Sequence, residues 1–337
     1  MDKLKTLVTM PFPEELMEKI AETSPQLEVL QEVARTADDV RPHMAGVQIL
    51  YAWQAIPDPA DAPDLRWVQL HLAGVDQVLE TALYRDTDVI FTTTSGVHAV
   101  NMAEYTMMQI LAFAHRLPFM VADRAAKDWP TGRWARYVPQ ELRGSTLGIV
   151  GYGSIGREVA RLAQAFGIQV LAIKRDVRDL NDHEYYLPGT GDPTGEIPER
   201  YYPPQALKSF LKECDYVVLA VPLTSETYHL IDAEAFAAMK RKAVLVNVAR
   251  GAVVDEKALI AALKEGQIGG AALDVFEQEP LPQESPLWEL PNVIISPHIS
   301  GLTPYYDERA TDVFVNNLQR YLAGEPLLNE VKRPRGY

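Results

Sequence analysis

The sequence predicts an α/β protein built from two successive strand–helix series, and three observations carry this. Short apolar runs bounded by Pro, Asp and Gly alternate with amphipathic helical patterns through the first hundred residues, the alternation that builds parallel sheets. A second series opens at Leu147 with a glycine-rich turn between an apolar run and a helical run. The chain has 337 residues, 47% apolar and 23% charged, which suits a globular protein with one or two cores.

In the first series Leu7–Met10, Val47–Tyr51, Trp67–Leu72 and Val89–Thr92 read as strands, and Pro13–Glu22 and Gln26–Ala34 as amphipathic helices. Asn101–Leu117 repeats apolar positions at helical spacing, and Pro118 marks a break or kink. Leu147–Val150 is an apolar strand, followed by Gly151-Tyr152-Gly153-Ser154-Ile155-Gly156 and a helix over Arg157–Phe166 that Gly167 stops. Further strands read at Val170–Ile173, Tyr216–Val221, Ala243–Ala249, Ala271–Phe276 and Val293–Ser296. Helical segments such as Asp255–Lys264 separate several of them, which makes this series a doubly wound α/β domain. A helix over about Tyr305–Ala323 ends the fold. Asp176–Pro203 stands apart: it carries Pro188-Gly189, Gly191-Asp192-Pro193 and Pro203-Pro204 with little periodicity, and reads as a long surface elaboration.

Composition excludes several functions. A net charge of −14 argues against nucleic acid as a partner. The single cysteine, Cys214, excludes an internal disulfide framework and an all-cysteine zinc site, and neither H-x-x-x-H nor C-x-x-C spacing occurs, so no metal is expected. Tyr105–Val121 is interrupted by His115 and Arg116 and makes a poor membrane span; Met1-Asp2-Lys3-Leu4-Lys5 leads into no signal-peptide apolar region. A soluble cytoplasmic protein is expected.

The glycine turn sits where a dinucleotide fingerprint belongs, with a strand before it, a helix after it and a second strand ending about twenty residues on. Gly151 permits the tight turn, Gly153 lets backbone approach a pyrophosphate, and Gly156 lets the helix pack on the sheet. Ser154 and Ile155 complete the turn, where a helix N-terminus offers free N–H groups to phosphate. The end of the second strand chooses the cofactor. A carboxylate there would take a ribose hydroxyl and repel a 2′-phosphate, but Lys174-Arg175 stands there, which favours NADP(H). NAD(H) stays possible, with Asp176 on the ribose.

Ligands of open α/β sheets bind at the carboxyl ends of the strands. Arg250, Asp274, Glu279 and His298 all fall there, beside the glycine turn. An arginine fork can hold a carboxylate and polarise the adjacent carbonyl. A histidine can protonate the developing alkoxide, and a neighbouring carboxylate favours its imidazolium form. His71 and His98 read as structural; His43, His115, His183 and His229 show no supporting constellation.

Together these residues resemble the D-isomer-specific 2-hydroxyacid dehydrogenase family over nearly the whole chain. The resemblance is carried by Leu72-Ala73-Gly74-Val75-Asp76, Ala103-Glu104, the glycine turn, Val221-Pro222-Leu223-Thr224, Asn247-Val248-Ala249-Arg250-Gly251, Ala272 to Pro280 and Pro297-His298-Ile299-Ser300-Gly301. It implies two Rossmann-like domains with an interdomain cleft. One is a discontinuous, flavodoxin-like substrate domain over 1–100 and 302–337; the other is a doubly wound NADP(H)-binding domain over 101–301. The family's catalytic arginine, glutamate and histidine fall on Arg250, Glu279 and His298, and its carboxylate-holding turn on the backbone of Ala73 and Gly74. Thr106, Val221, Pro222, Val248, Asp274 and Gly301 match cofactor-side positions, with Asp274 near the nicotinamide.

Lys174 replaces the aspartate of NAD-dependent members, so the chain resembles the NADPH-linked glyoxylate/hydroxypyruvate reductase branch. The expected activity is hydride transfer between nicotinamide and C2 of a small 2-oxoacid or D-2-hydroxyacid, in a homodimer. The long Asp176–Pro203 segment is expected to cover the adenosine end of the cofactor, and Trp129 and Trp134 lie in a loop of the kind that lines the substrate pocket. The rivals are an NAD-linked 3-phosphoglycerate dehydrogenase, opposed by Lys174 and the lack of a regulatory C-terminal extension; formate dehydrogenase, opposed by Glu279; and a nicotinamide-sensing, corepressor-like binding protein.

Overall fold

A computed structural model describes residues 3–75 and 77–333; Met1 and Asp2 of the N-terminal reading and Asp76 of the Leu72–Asp76 motif lie outside them. The chain divides into two compact units, Met1–Val97 with His183–Tyr185 and Thr303–Tyr337, and His98–Asp182 with Tyr186–Leu302.

The first unit is a parallel sheet of β1 (Leu4–Val8), β2 (Leu27–Gln31), β3 (Ile49–Ala52), β4 (Trp67–Leu70) and β5 (Ile90–Thr92), in the order β2-β1-β3-β4-β5. That is the flavodoxin-like order. Every residue of β3 and β4 is buried, as expected of central strands covered on both faces. The Tyr306–Ala323 helix lays Ala310, Val313, Phe314 and Leu318 on the sheet, with the Phe314 ring 4.8 Å from Tyr51 and 5.3 Å from Trp67.

One sequence expectation fails here. Gln26–Ala34 is not a helix, because its Leu27–Gln31 portion is β2, paired with β1 from Leu4↔Leu27 to Val8↔Gln31. Leu27, Leu30 and Val33 have helical spacing, but the open edge of β1 offers a row of backbone bonds that local propensity cannot outweigh. Leu27 alone of the three is buried. The same pairing starts β1 at Leu4, before the expected Leu7.

The second unit is a seven-stranded parallel sheet: β6 (Thr146–Val150), β7 (Gln169–Ile173), β8 (Arg200–Tyr202), β9 (Tyr216–Leu219), β10 (Val244–Asn247), β11 (Gly270–Leu273) and β12 (Val293–Ile295). Its order is β12-β11-β10-β9-β6-β7-β8. This is the Rossmann order extended by one strand, and it reverses direction between β6 and β9, where such sheets bind ligands. The long helix covers Ala99–Ala114 and ends at Arg116, in the left-handed region at φ 61°; Pro118 then sits in the first turn of a second helix, Leu117–Ala126.

The Asp176–Pro203 segment needs correcting. Its end, Arg200–Tyr202, is β8, which pairs with β7 from Leu171↔Arg200. Three residues are too short to show alternation in sequence. The irregular stretch before it is also anchored. Arg157, 1% exposed, donates to the Asp192 carbonyl and to the Leu180 carbonyl (2.7 Å). The Asp192 carboxylate accepts from the Tyr152 hydroxyl (2.6 Å) and the Glu196 and Ile197 N–H groups (3.0 Å each). Buried Glu158 accepts from Gly191 N–H at 2.6 Å. Tyr152, Arg157 and Glu158 all belong to the glycine turn and its helix, so the crossover lies on the surface but is anchored to that turn and helix.

Candidate active site

The glycine turn shows three distinct reasons for three glycines. Gly151 has φ +99°, and a Cβ there would lie 2.5 Å from the Ala220 carbonyl oxygen. A Cβ on Gly156 would lie 2.4 Å from the Gly151 carbonyl oxygen, so that position lets the helix close on the turn. Gly153 is different: nothing lies within 4 Å of its Cβ position. The Ser154–Ala165 helix starts there with no side-chain cap. The N–H groups of Ser154 and Ile155 are among the first of that helix, which have no partner within it. An open cradle above unpartnered N–H groups suits a pyrophosphate, so the turn fits a dinucleotide.

Lys174 follows β7. Its N–H donates to Tyr202 of β8 (3.1 Å), and its ammonium donates to the Asp179 carbonyl of the crossover. Partial burial, and then the nearby Arg157 guanidinium, pull its pKa below the ordinary 10.5. Arg175 is exposed beside it. Arg157 adds a buried positive charge that the sequence reading missed, since one arginine in an amphipathic helix carries no mark of burial. Val221 and Pro222 follow β9 across the switch point, and the Val221 Cγ1 would be 2.8 Å from a Cβ on Gly151. Thr106 and Val248 are buried, at 0% and 4% exposure, and the Thr106 hydroxyl donates back to the Met102 carbonyl at 2.7 Å. The Gly301 carbonyl accepts from His98 Nδ1 at 2.8 Å.

The remaining residues are set by the turns after β10, β11 and β12. Asn247 shapes the first: its Oδ1 accepts from Ala249 N–H and its Nδ2 donates to the Arg250 carbonyl, both at 3.1 Å. Arg250 itself is half-buried and donates to the Ala249 carbonyl at 2.9 Å. A Cβ on Gly251 would fall 1.8 Å from the Phe276 carbonyl carbon, so this turn is pressed against the one leading to Glu279.

Asp274 follows β11 and is fully buried. Its carboxylate accepts from the Ser296 hydroxyl (2.5 Å), Ile299 N–H (2.9 Å) and Ser300 N–H (2.9 Å), and its carbonyl accepts from His298 N–H (2.9 Å). Asp274 thus clamps the loop that carries His298, a function its place in the sequence does not reveal. Within that clamp His298 adopts φ +54°, a left-handed backbone that costs a non-glycine residue about 1–2 kcal/mol. Such strain persists where the surroundings enforce it.

Glu279 accepts from Phe276 N–H through Oε1 (3.1 Å) and meets His298 Nδ1 through Oε2 (2.8 Å). An ionised carboxylate only accepts, so Nδ1 carries the hydrogen. The Nε2 of the half-exposed His298 ring engages no described residue. The structure therefore joins Glu279, His298 and Asp274 by hydrogen bonds and brings the Arg250 turn against them by backbone packing. Ala73 and Gly74 lie in the loop after β4, at the carboxyl end of the first unit's sheet. Among the described residues no group of His, Cys, Asp or Glu could hold a metal ion, and no helix is long and apolar enough to cross a membrane.

Residues 107–300 match the pattern of the D-isomer specific 2-hydroxyacid dehydrogenase, NAD binding domain. The chain belongs to that family. The dehydrogenase is 38% identical over 286 residues to a glyoxylate reductase of Korarchaeum cryptofilum, covering 80% of this chain and 79% of that one. It is 37% identical over 260 residues to an (S)-sulfolactate dehydrogenase of Chromohalobacter salexigens, covering 77% and 78%. Its fold matches the crystal structure of an NADPH-dependent glyoxylate/hydroxypyruvate reductase from Sinorhizobium meliloti, solved with NADP and sulfate. The TM-score is 0.77 at 29% identity, over 99% of this chain and 100% of that one. It is an NAD(P)-dependent oxidoreductase of 2-hydroxyacids, with two Rossmann-like domains.

Proposed function

We propose that this dehydrogenase works as an NADP(H)-dependent reductase of small 2-oxoacids, with glyoxylate or hydroxypyruvate as substrate. The observation that carries this is the Glu279–His298 pair at 2.8 Å, with Nε2 of the imidazole engaging no described residue at the carboxyl edge of the sheet. Arg250 offers a planar fork for the substrate carboxylate, and the backbone N–H groups of Ala73 and Gly74 are its second holders. Nε2 of His298 gives its proton to the carbonyl oxygen as that oxygen gains charge. Glu279 stabilises the imidazolium beforehand and fixes the ring plane. NADPH, when bound, would supply a hydride for C2, and with the proton from His298 the product would be the 2-hydroxyacid.

Cofactor choice rests on Lys174 and Arg175, whose charges suit a 2′-phosphate, with Gly151, Gly153 and Gly156 cradling the pyrophosphate. Val221, Pro222 and Gly301 border the same site, while buried Thr106 and Val248 support it by packing. On this reading residues 101–301 take the cofactor, and residues 1–100 with 302–337 take the substrate. The anchored crossover before β8 covers the adenosine end. The assembly is a homodimer, supported by the large apolar side chains that the second unit leaves exposed: Leu117, Met120, Val121, Trp129 and Trp134. The cytoplasm is its compartment.

The deciding experiment is one plate, measuring NADPH and NADH consumption against glyoxylate, hydroxypyruvate, pyruvate and bulkier 2-oxoacids, sulfopyruvate included. Turnover of glyoxylate or hydroxypyruvate with a clear NADPH preference is expected. An NADH preference, or turnover confined to the bulkier acids, contradicts the proposal. A sedimentation run on the wild type and on Trp129→Ser/Trp134→Ser tests the dimer.

A further inference from the structure

His71 reads in sequence as an ordinary structural histidine. It directly follows β4 and directly precedes Leu72-Ala73-Gly74, and its surroundings in the first unit are unusually complete. Its ring is only 7% exposed. Nδ1 is 2.6 Å from the Tyr51 hydroxyl and Nε2 is 3.2 Å from Asp307 Oδ1. Phe12 meets the ring edge-on at 5.6 Å and Tyr306 at 4.8 Å. The Tyr306 hydroxyl donates to the His71 carbonyl at 3.0 Å and sits 3.0 Å from the Thr94 hydroxyl, while Thr94 N–H donates to the Leu72 carbonyl at 2.9 Å.

These partners settle the tautomer. A carboxylate only accepts, so Nε2 carries the hydrogen toward Asp307, and in the neutral ring Nδ1 then accepts from the Tyr51 O–H. Tyr51 keeps its proton and so can donate, because burial, and then neighbouring Tyr306 and Asp307, push its phenol well above its usual range. The chain of donors therefore runs one way, from Tyr51 through His71 to Asp307. It locks the ring, and with it the backbone of His71, two residues before the Ala73–Gly74 turn.

We propose that His71, oriented by Tyr51 and Asp307, is the positioning residue of the substrate-carboxylate turn and sets the enzyme's affinity for its 2-oxoacid without taking part in hydride or proton transfer. The inference rests on the reading of Ala73 and Gly74 as carboxylate holders. Neither Tyr51 nor Asp307 need touch substrate; each acts through the imidazole.

The test uses Tyr51→Phe, which removes the donor, and Asp307→Asn, which no longer dictates the tautomer. Each should raise KM for the accepted 2-oxoacid about fivefold, the loss of roughly one hydrogen bond's worth of binding, with kcat within about twofold. Asp307→Glu should restore KM, NADPH affinity should stay near wild type, and Tm should fall only modestly, because Tyr51→Phe leaves the buried Nδ1 without its partner. A fall in kcat at constant KM, an unchanged KM in both variants, or a KM change that only follows a collapse of Tm and NADPH binding would overturn the proposal. Oxalate titrated into the NADPH complex, read by tryptophan fluorescence, separates the two levels of inference. If the wild type reduces no 2-oxoacid but binds oxalate in a Tyr51- and Asp307-dependent way, the activity reading fails and this one stands. If oxalate does not bind the wild type, both fail. If turnover is confirmed and the variants are silent, only this one fails.

Discussion

Replacing Asp274 by Asn tests whether the His298 loop is held as the structure indicates. The aspartate has no solvent exposure, and its two oxygens accept three hydrogen bonds, from Ser296, Ile299 and Ser300. Asn keeps one acceptor oxygen, which can serve Ser296 and Ile299. Its NH₂ group then faces the buried Ser300 N–H, a donor against a donor. An unsatisfied buried donor costs about 1–3 kcal/mol, and removing the charge from the two surviving bonds costs about 1 kcal/mol each, so the variant should lose about 3–5 kcal/mol. The loop also loses the restraint that holds His298 at φ +54°. Displacing a catalytic group by about 1 Å can cost about 100-fold in rate, so kcat should fall by that order. Urea unfolding gives the stability, steady-state turnover gives kcat, and NADPH fluorescence gives the cofactor Kd. If Asp274 mainly clamps the loop, stability and kcat fall while Kd moves little. A large rise in Kd with stability intact would refute the clamp and return Asp274 to a direct cofactor role.

Other outcomes follow from the same geometry. His298→Ala should lower kcat about 10²- to 10⁴-fold, the usual worth of a general acid, with NADPH binding unchanged in a fluorescence titration. Gly153→Ala should fold normally, because nothing lies within 4 Å of the added methyl, yet bind NADPH more weakly; Gly156→Ala, whose methyl would meet the Gly151 carbonyl oxygen at 2.4 Å, should show a clearly lower Tm by calorimetry. The ammonium of Lys174 is lost as pH rises through its lowered pKa. The NADPH Kd should therefore rise on the approach from neutral pH to 10.5, while the NADH Kd, which needs no 2′-phosphate contact, stays flat. Equal pH dependence for both cofactors would remove Lys174 from the 2′-phosphate site.

Much of this protein was determined by sequence alone. The second sheet's strands β6, β7 and β9 to β11 are almost wholly buried and therefore read as unbroken apolar runs, the partly exposed edge strand β12 is short but apolar throughout, and the glycine turn marks itself because only glycine fits where φ is +99° or where a helix touches its own turn. Arg250, Glu279 and His298 could be singled out as candidates because a parallel sheet places its strand ends at one edge. Three things depended on tertiary structure. An edge strand such as β2 or β8 earns its conformation from a neighbour's backbone, which local residue spacing does not record. Buried Arg157, which donates to the Asp192 carbonyl, and the Asp192 carboxylate, which accepts from Tyr152, turn an apparently loose segment into a fixed wall, and these contacts join residues far apart in the chain. The partners of Asp274 and His71 decide whether each side chain meets a ligand or orders a loop. Hydrogen-bond direction depends on which groups meet in space, and for both residues the fold made that choice.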